Sequence, residues 1–185
     1  RDDALPPNVP EIRLARTVAE ESWSEDLLRR AHEALATVQE RMGLELDGPV
    51  TIRTFRHIED LQRHLGSRPT HVVAVTRARL LEVSILLPAW QRLPREEQLR
   101  TLEHEMVHLL LGRLVRGELP AWLHEGLAMI VSRESGLSHR VRLTAAGALG
   151  TLIPLRDLES SVLLGGERQS LAYAQSHAVT KFLLV

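Results

Sequence analysis

Residues 101–112 read Thr-Leu-Glu-His-Glu-Met-Val-His-Leu-Leu-Leu-Gly, and this stretch contains the pattern H-E-x-x-H at His104, Glu105 and His108. Apolar residues around the histidines recur at helical spacing, which predicts a helix that begins near Pro94. Histidines four residues apart lie on one face of a helix, where two imidazoles can converge on one metal ion. Glu105 lies about 100° around the helix, a position suited to a general base that does not itself bind the metal.

A catalytic zinc site also needs a third protein ligand and a free coordination position. Residues 119–128 read LPAWLHEGLA and predict a second helix that begins at Pro120. Two side chains on this helix could reach a metal ion, Glu125 and His124. Adjacent helical residues point about 100° apart, so only one of them can be the ligand. The 16 residues between His108 and Glu125 allow the chain to reverse, and Gly126 would let this second helix approach the motif helix closely.

The two motifs together resemble a known family of enzymes. H-E-x-x-H followed by W-L-x-E-G-x-A at residues 122–128 is similar to the gluzincin zinc metallopeptidases. With the run Ala-Tyr-Ala-Gln-Ser at residues 172–176, most of the chain resembles small peptidase MA-like domains, which are related to zinc aminopeptidases. The resemblance implies a zincin-like fold. It does not imply aminopeptidase specificity, because the Gly-Ala-Met-Glu-Asn segment with which those enzymes hold a free amine is absent.

The resemblance also implies a complete active site. One Zn²⁺ would be held by His104, His108 and Glu125, the last in preference to the histidine before it, and Glu105 would be the general base. The implied substrate is a peptide or protein, bound extended along the edge strand of the sheet that precedes the motif helix. We expect that strand to be residues 82–87.

An oxyanion forms on the attacked carbonyl during peptide hydrolysis, and a tyrosine or histidine commonly stabilises it. Tyr173 is the single tyrosine of the chain and is our candidate for this role. His177, four residues later on a helix predicted at 170–185, shares its helix face and is a second candidate. Glu103, next to the motif, is expected to be solvated or to lie just outside the ligands.

The pattern of apolar residues predicts an α+β domain, with a small N-terminal mixed sheet and helices followed by a helical part that carries both motifs. Residues 1–10, with three prolines, are expected to be a linker, and residues 11–185 a single zincin-like domain. The start at Arg1 and a last helix cut off at the end of the chain indicate part of a longer protein. The other predicted helices lie between Ser24 and Gly43 and at 57–65. Strands are predicted at 50–55, 71–76 and 80–87, and a turn at 77–79 makes a hairpin of the last two. A short strand is predicted at 138–143, followed by an irregular stretch that ends at residue 166.

The charge and composition of the chain exclude several kinds of partner. With 23 basic and 24 acidic residues and a formal net charge of -1, the chain has no electrostatic footprint for a nucleic acid or an anionic membrane. No apolar run approaches the roughly 20 residues that a membrane span needs. The absence of cysteine excludes disulfides, thiolate ligands and a cysteine nucleophile, and it leaves the compartment undetermined.

Two other functions fit the same motifs. The fold could be a binding or scaffold module that engages a protein partner through its edge strand. Glu105 argues against this, because a pure interaction domain has no need of a general base. A purely structural zinc would need a fourth protein ligand, and none is evident. The other histidines have no partner at ligand spacing and are expected to be surface or structural residues: His32, His57, His64, His71 and His139.

Overall fold

The computed structural model describes residues 9–15, 23–67, 72–115, 117, 119–134, 137–164 and 168–184. These residues form a four-stranded sheet and a larger set of helices, which confirms the predicted α+β class. The chain divides into two compact units, residues 1–115 and 116–185. The sheet lies in the first unit, and the described part of the second is helical. None of the described helices is both long enough and apolar enough to cross a membrane.

The sheet of unit 1 is mixed, as predicted. Its strands are β1 (Ile12–Ala15), β2 (Val50–Phe55), β3 (Ala74–Arg77) and β4 (Glu82–Leu86), in the order β1-β2-β4-β3. β2 runs parallel to both β1 and β4, whereas β3 is antiparallel to β4. A 3₁₀ turn at Ala78–Leu80 joins β3 to β4, which confirms the predicted hairpin. Residue 71, the first residue of the strand predicted at 71–76, lies outside the described residues.

The edge of the sheet differs from the prediction. The expectation that residues 82–87 form the edge strand is wrong, because β4 is an inner strand whose Val83 pairs with Ile52 on one side and with Thr76 on the other. β3 is the outer strand. A hairpin strand can lie inside or outside its partner, and only the crossover from β2 to β4 decides which, so chain order alone does not reveal the edge. The last residue of the predicted strand starts a short helix instead, α3 (Leu87–Gln91).

β1 is a strand that the local pattern of apolar residues does not predict. It is four residues long and follows the proline-rich start, of which residues 9 and 10 are described and lie in no helix or strand. Ile12 pairs with Val50 of β2, so β1 becomes the other edge of the sheet. Nε2 of His32 accepts a hydrogen bond from the Ile12 N–H at 3.3 Å, and its Nδ1 lies 2.9 Å from the Leu28 carbonyl oxygen. His32 is therefore a structural histidine that ties β1 to the following helix.

Two long helices of unit 1, α1 (Trp23–Met42) and α4 (Arg95–Leu114), pack against each other and against the sheet. α1 contacts β1, and α4 contacts β3. α1 agrees with the predicted helix, and Gly43 ends it in the left-handed conformation with φ 62°, which glycine adopts without steric strain. The fully buried apolar residues of these elements include Leu27, Ala31, Leu35 and Val38 in α1, Ile52, Val83 and Ile85 in the sheet, and Leu102, Met106 and Leu109 in α4.

The other face of the sheet carries α2 (Ile58–Leu65) and an ionic cluster around Glu82. The Glu82 carboxylate, 5% exposed, is bonded to His64 (2.7 Å), Arg77 (2.6 Å) and Arg53 (3.2 Å). Burial acts to raise the pKa of Glu82, but the hydrogen bonds from His64, Arg77 and Arg53 outweigh it and lower the pKa to about 2. His64 therefore also has a structural partner.

Glu82→Gln is expected to lower the free energy of unfolding by about 3 kcal/mol at neutral pH. The carboxyl group is ionised down to a pKa of about 2 in the fold, against an ordinary value of 4.5. Its stabilising contribution is therefore present above about pH 4.5 and is lost as the pH falls from there to about 2. Urea unfolding at about pH 7, 4 and 2.5 should show the difference between wild type and variant shrinking with acidity. The exposed Glu40→Gln is the control, and a constant difference for Glu82→Gln would contradict this account.

Unit 2 contains four helices among its described residues: α5 (Ala121–Val131), α6 (Leu137–Ala148), α7 (Leu155–Leu164) and α8 (Gln169–Leu183). α5 and α8 agree with predicted helices. The strand predicted at 138–143 is wrong, because this segment lies in α6: Val141 and Leu143 alternate with arginines as in a strand, but the alanine-rich continuation favours helix. The stretch predicted as irregular contains α7, which starts directly after Pro154, a residue suited to helix starts. Ile153, Leu158, Val162 and Ala172 form one buried apolar cluster in this unit.

Candidate metal centre

The H-E-x-x-H motif lies in the middle of α4. Pro94 precedes this helix, and Glu96 and Glu97 occupy its first turn, where carboxylates interact favourably with the helix dipole. The residues that anchor the motif on its buried side are each 0% exposed: Leu102, Met106, Val107, Leu109 and Leu110. Because the motif lies within a helix of 20 residues, the relative positions of the Cα atoms that carry His104, Glu105 and His108 are fixed.

His104 and His108 lie together, as the sequence predicts. Their ring centroids are 4.7 Å apart and the ring planes are inclined at 79°. Both side chains are half-buried, whereas the residues on either side of each are buried. Two accessible imidazoles at this separation can bind one ion, each through one ring nitrogen.

Glu105, unlike the two histidines, is buried, with 7% of its surface exposed. Its carboxylate oxygen Oε2 accepts a hydrogen bond from the Thr76 hydroxyl at 2.6 Å, and its backbone carbonyl oxygen lies 3.0 Å from the same hydroxyl. Thr76 belongs to β3, the edge strand. The sequence contains no signal that pairs Thr76 with this helix, because the contact depends on which strand lies outermost in the sheet.

Glu103, next to the motif, links the motif helix to α1. It is 5% exposed and forms an ion pair with Arg41 of α1 at 2.8 Å. Of the two expectations for Glu103, the solvated one is therefore wrong, and a position just outside the ligands stays a prediction. Removing one partner of a buried ion pair leaves an uncompensated charge, so this pair holds α4 against α1.

Glu125 lies in α5, whose first turn is capped by another helix of unit 2. The carboxylate of Glu159 in α7 accepts hydrogen bonds from the backbone N–H groups of Ala121 (2.9 Å) and Trp122 (3.4 Å). These are two of the donors that a helix leaves unpaired at its start. Glu125 and the alternative ligand His124 are both half-buried, and helical geometry points them about 100° apart.

Gly126 is the point at which α5 meets α8. A Cβ atom at this position would lie 2.1 Å from Thr180 Oγ1 and 2.6 Å from the Ser176 carbonyl oxygen, both in α8. The prediction that Gly126 lies against the motif helix is wrong, because the helix that it approaches closely is α8. This packing fixes the turn of α5 that carries Glu125.

Gly126→Ala is expected to destabilise unit 2 by roughly 1–3 kcal/mol, because the added methyl group would overlap a backbone atom of α8. Urea or thermal unfolding measures this change. Gly147→Ala in α6 is the matched control, since no atom lies within 4 Å of a Cβ there. Alanine has the higher helix propensity, so this control should stabilise the fold by up to about 1 kcal/mol. Equal stability of Gly126→Ala and wild type would contradict the packing described here.

Tyr173 and His177 both lie on α8, four residues apart, and both are half-buried. Burial lowers the pKa of His177, and the nearby His139 and Lys181 lower it further, against the opposing effect of Glu134. His177 is therefore neutral at pH 7. A neutral imidazole keeps one N–H donor, and the Tyr173 hydroxyl is a neutral donor as well.

The side chains of the two motifs offer the donor atoms that zinc prefers. His104 and His108 each offer one imidazole nitrogen, and Glu125 offers one carboxylate oxygen. Three nitrogen or oxygen ligands with a fourth position left open are typical of catalytic zinc, so this donor set fits Zn²⁺.

Comparison with known proteins identifies a family. A family model described as Peptidase MA superfamily matches residues 30–185, a range that includes both motifs. No curated protein and no solved structure matches the chain significantly. The match confirms the resemblance seen in the two motifs.

Proposed function

Because the chain belongs to the Peptidase MA superfamily, we propose that it is a zinc metallopeptidase of the gluzincin type with a zincin-like fold. Its reaction is the hydrolysis of a peptide bond in a peptide or protein. The observation that carries this proposal is the combination, on one helix, of two accessible imidazoles 4.7 Å apart with a buried carboxylate between them in sequence. A module that only binds partners has no use for a carboxylate in that place.

The metal ligands in this proposal are His104, His108 and Glu125. All are half-buried, and the chain offers no cysteine that could replace one of them. Three protein ligands leave one coordination position for water or substrate, which distinguishes a catalytic site from a closed structural one. When bound, Zn²⁺ lowers the pKa of a water molecule and polarises the scissile carbonyl group.

Glu105 is the general base. Its carboxylate takes a proton from the attacking water as the water oxygen bonds to the carbonyl carbon of the substrate. The same carboxyl group then gives the proton to the leaving amine as the C–N bond breaks. Because only 7% of Glu105 is exposed, few water molecules compete with the reacting one for its oxygens.

Tyr173 and His177 are the proposed stabilisers of the oxygen that becomes negatively charged when water attacks. The Tyr173 hydroxyl donates a hydrogen bond to this oxygen, and the neutral His177 ring is a second donor. The lowered pKa of His177 keeps this ring neutral through the neutral pH range, so its donor does not change with small shifts of pH.

The substrate backbone, in this proposal, pairs with β3. An extended peptide can add to a sheet at an open edge, and β3 is the edge strand that contacts the motif helix. The hydrogen bond between Thr76 and Glu105 links this strand directly to the general base. A substrate paired with β3 would therefore run beside the carboxylate that has to act on it.

A mixed peptide library tests the proposal. The chain is incubated with the library and zinc, with and without a chelator, and new peptide termini are detected by mass spectrometry. We expect cleavage by the zinc-loaded chain alone, and none once the chelator has removed the metal. A chain that retains zinc and binds peptides but cuts none of them would instead be a scaffold module that acts through its edge strand.

A further inference from the structure

Thr76 is the one residue outside the motif helix whose side chain is hydrogen-bonded to Glu105 among the residues that the structure describes. It lies in β3 opposite Val83 and is half-buried. Its hydroxyl has two acceptors within reach, Oε2 of the carboxylate at 2.6 Å and the backbone carbonyl oxygen at 3.0 Å. Both belong to Glu105.

A hydroxyl group has a single proton, so it donates to one of these acceptors at a time. The carboxylate oxygen is the nearer acceptor, and 2.6 Å is typical of a strong hydrogen bond from a hydroxyl to a carboxylate oxygen. The resting hydroxyl therefore donates to Oε2. The second carboxylate oxygen, Oε1, has no hydrogen bond to any described residue.

We propose that Thr76 is a positioning residue: it holds Oε2 of Glu105 so that Oε1 is the oxygen that takes the proton from the attacking water. This inference rests on the proposed function. The water O–H bond breaks and the Oε1–H bond forms as the water oxygen bonds to the carbonyl carbon. While Glu105 is protonated, the Thr76 hydroxyl can donate to the backbone carbonyl of Glu105, so it stays bonded until the proton has passed to the leaving amine.

Thr76→Val and Thr76→Ser test this role, because valine keeps the shape of threonine without its hydroxyl and serine keeps the hydroxyl. Thr101→Val is the matched control: the Thr101 hydroxyl is also hydrogen-bonded to a carbonyl of α4, but to that of Glu97, at 2.8 Å, and not to Glu105. On a fluorogenic peptide that the wild type cuts, we expect Thr76→Val to lower kcat roughly 10- to 100-fold with unchanged KM and zinc content. Thr76→Ser should recover most of this loss, and Thr101→Val should match the wild type.

An infrared measurement on the zinc-free chain tests the same contact without activity. The carboxylate stretching band that disappears in Glu105→Gln should shift in Thr76→Val and stay in place in Thr101→Val. An unshifted band, or a Thr76→Val variant as fast as an active wild type, would overturn the inference. A Thr76→Ser variant as slow as Thr76→Val would also overturn it. Failure of the proposed function looks different, since the wild type itself would then bind zinc and cut nothing.

Discussion

Glu105→Gln is expected to bind zinc as tightly as the wild type and to cleave peptides roughly 10²- to 10⁴-fold more slowly. Glutamine has nearly the shape of glutamate, so the Thr76 hydroxyl keeps an acceptor and α4 keeps its packing. The amide cannot take a proton from water, which removes the general base alone. Metal analysis of the purified variant and steady-state kinetics with a peptide substrate measure the two quantities separately.

Glu103→Gln is the matched control for this variant. It also neutralises a buried carboxylate of α4, but one that is paired with Arg41. We expect this control to lose stability and to keep its turnover per folded molecule. Loss of zinc from Glu105→Gln would identify Glu105 as a ligand, and undiminished turnover would mean that another group is the base.

Loss of a residue that contacts the ligands but not the metal typically weakens metal binding roughly 10- to 100-fold. Glu125→Ala is expected to weaken zinc binding by more than this. His124→Ala should leave the affinity unchanged. The two residues are adjacent, half-buried and in the same helix, and alanine suits helices, so the two variants disturb α5 to a similar degree. Competition with a chromophoric chelator measures both affinities.

The opposite effects of these two substitutions would require a different assignment of the third ligand. If His124→Ala released zinc and Glu125→Ala retained it, the third ligand would be an imidazole and the chain would depart from the gluzincin pattern. Retention of zinc by both variants would mean that α5 supplies no ligand at all. Release by Glu125→Ala with full folding, judged by an unchanged urea midpoint, is the result that the proposal requires.

Local patterns predict most helices of this protein and part of its sheet. α1 and α4 follow from apolar spacing, and the hairpin of β3 and β4 follows from two short apolar runs around a turn. The order of the strands is not local. β1 is a strand because it pairs with β2, and β4 lies inside the sheet because of the crossover from β2. Neither β1 nor the identity of the edge strand can therefore be predicted from a single segment of sequence.

The same difference between local and long-range contacts applies to the candidate site. The spacing of His104 and His108 places them together because helical geometry alone decides it. The contacts of Glu105 and Glu103, with Thr76 and Arg41, join residues 29 and 62 positions apart in the chain. Such contacts depend on how the sheet and α1 pack against α4, so the residues next to the motif do not reveal that Glu103 pairs with Arg41 or that Thr76 contacts Glu105.

The proposed ligand set can be examined by X-ray absorption at the zinc edge of the loaded chain, because the spectrum reports the kind, number and distance of the ligand atoms. We expect a zinc ion bound by two imidazoles, with oxygen atoms as the other ligands, all at about 2.0–2.2 Å. Replacing His108 by alanine should remove one imidazole from the spectrum. A wild-type spectrum with one imidazole or none would contradict the assignment of His104 and His108 as a ligand pair.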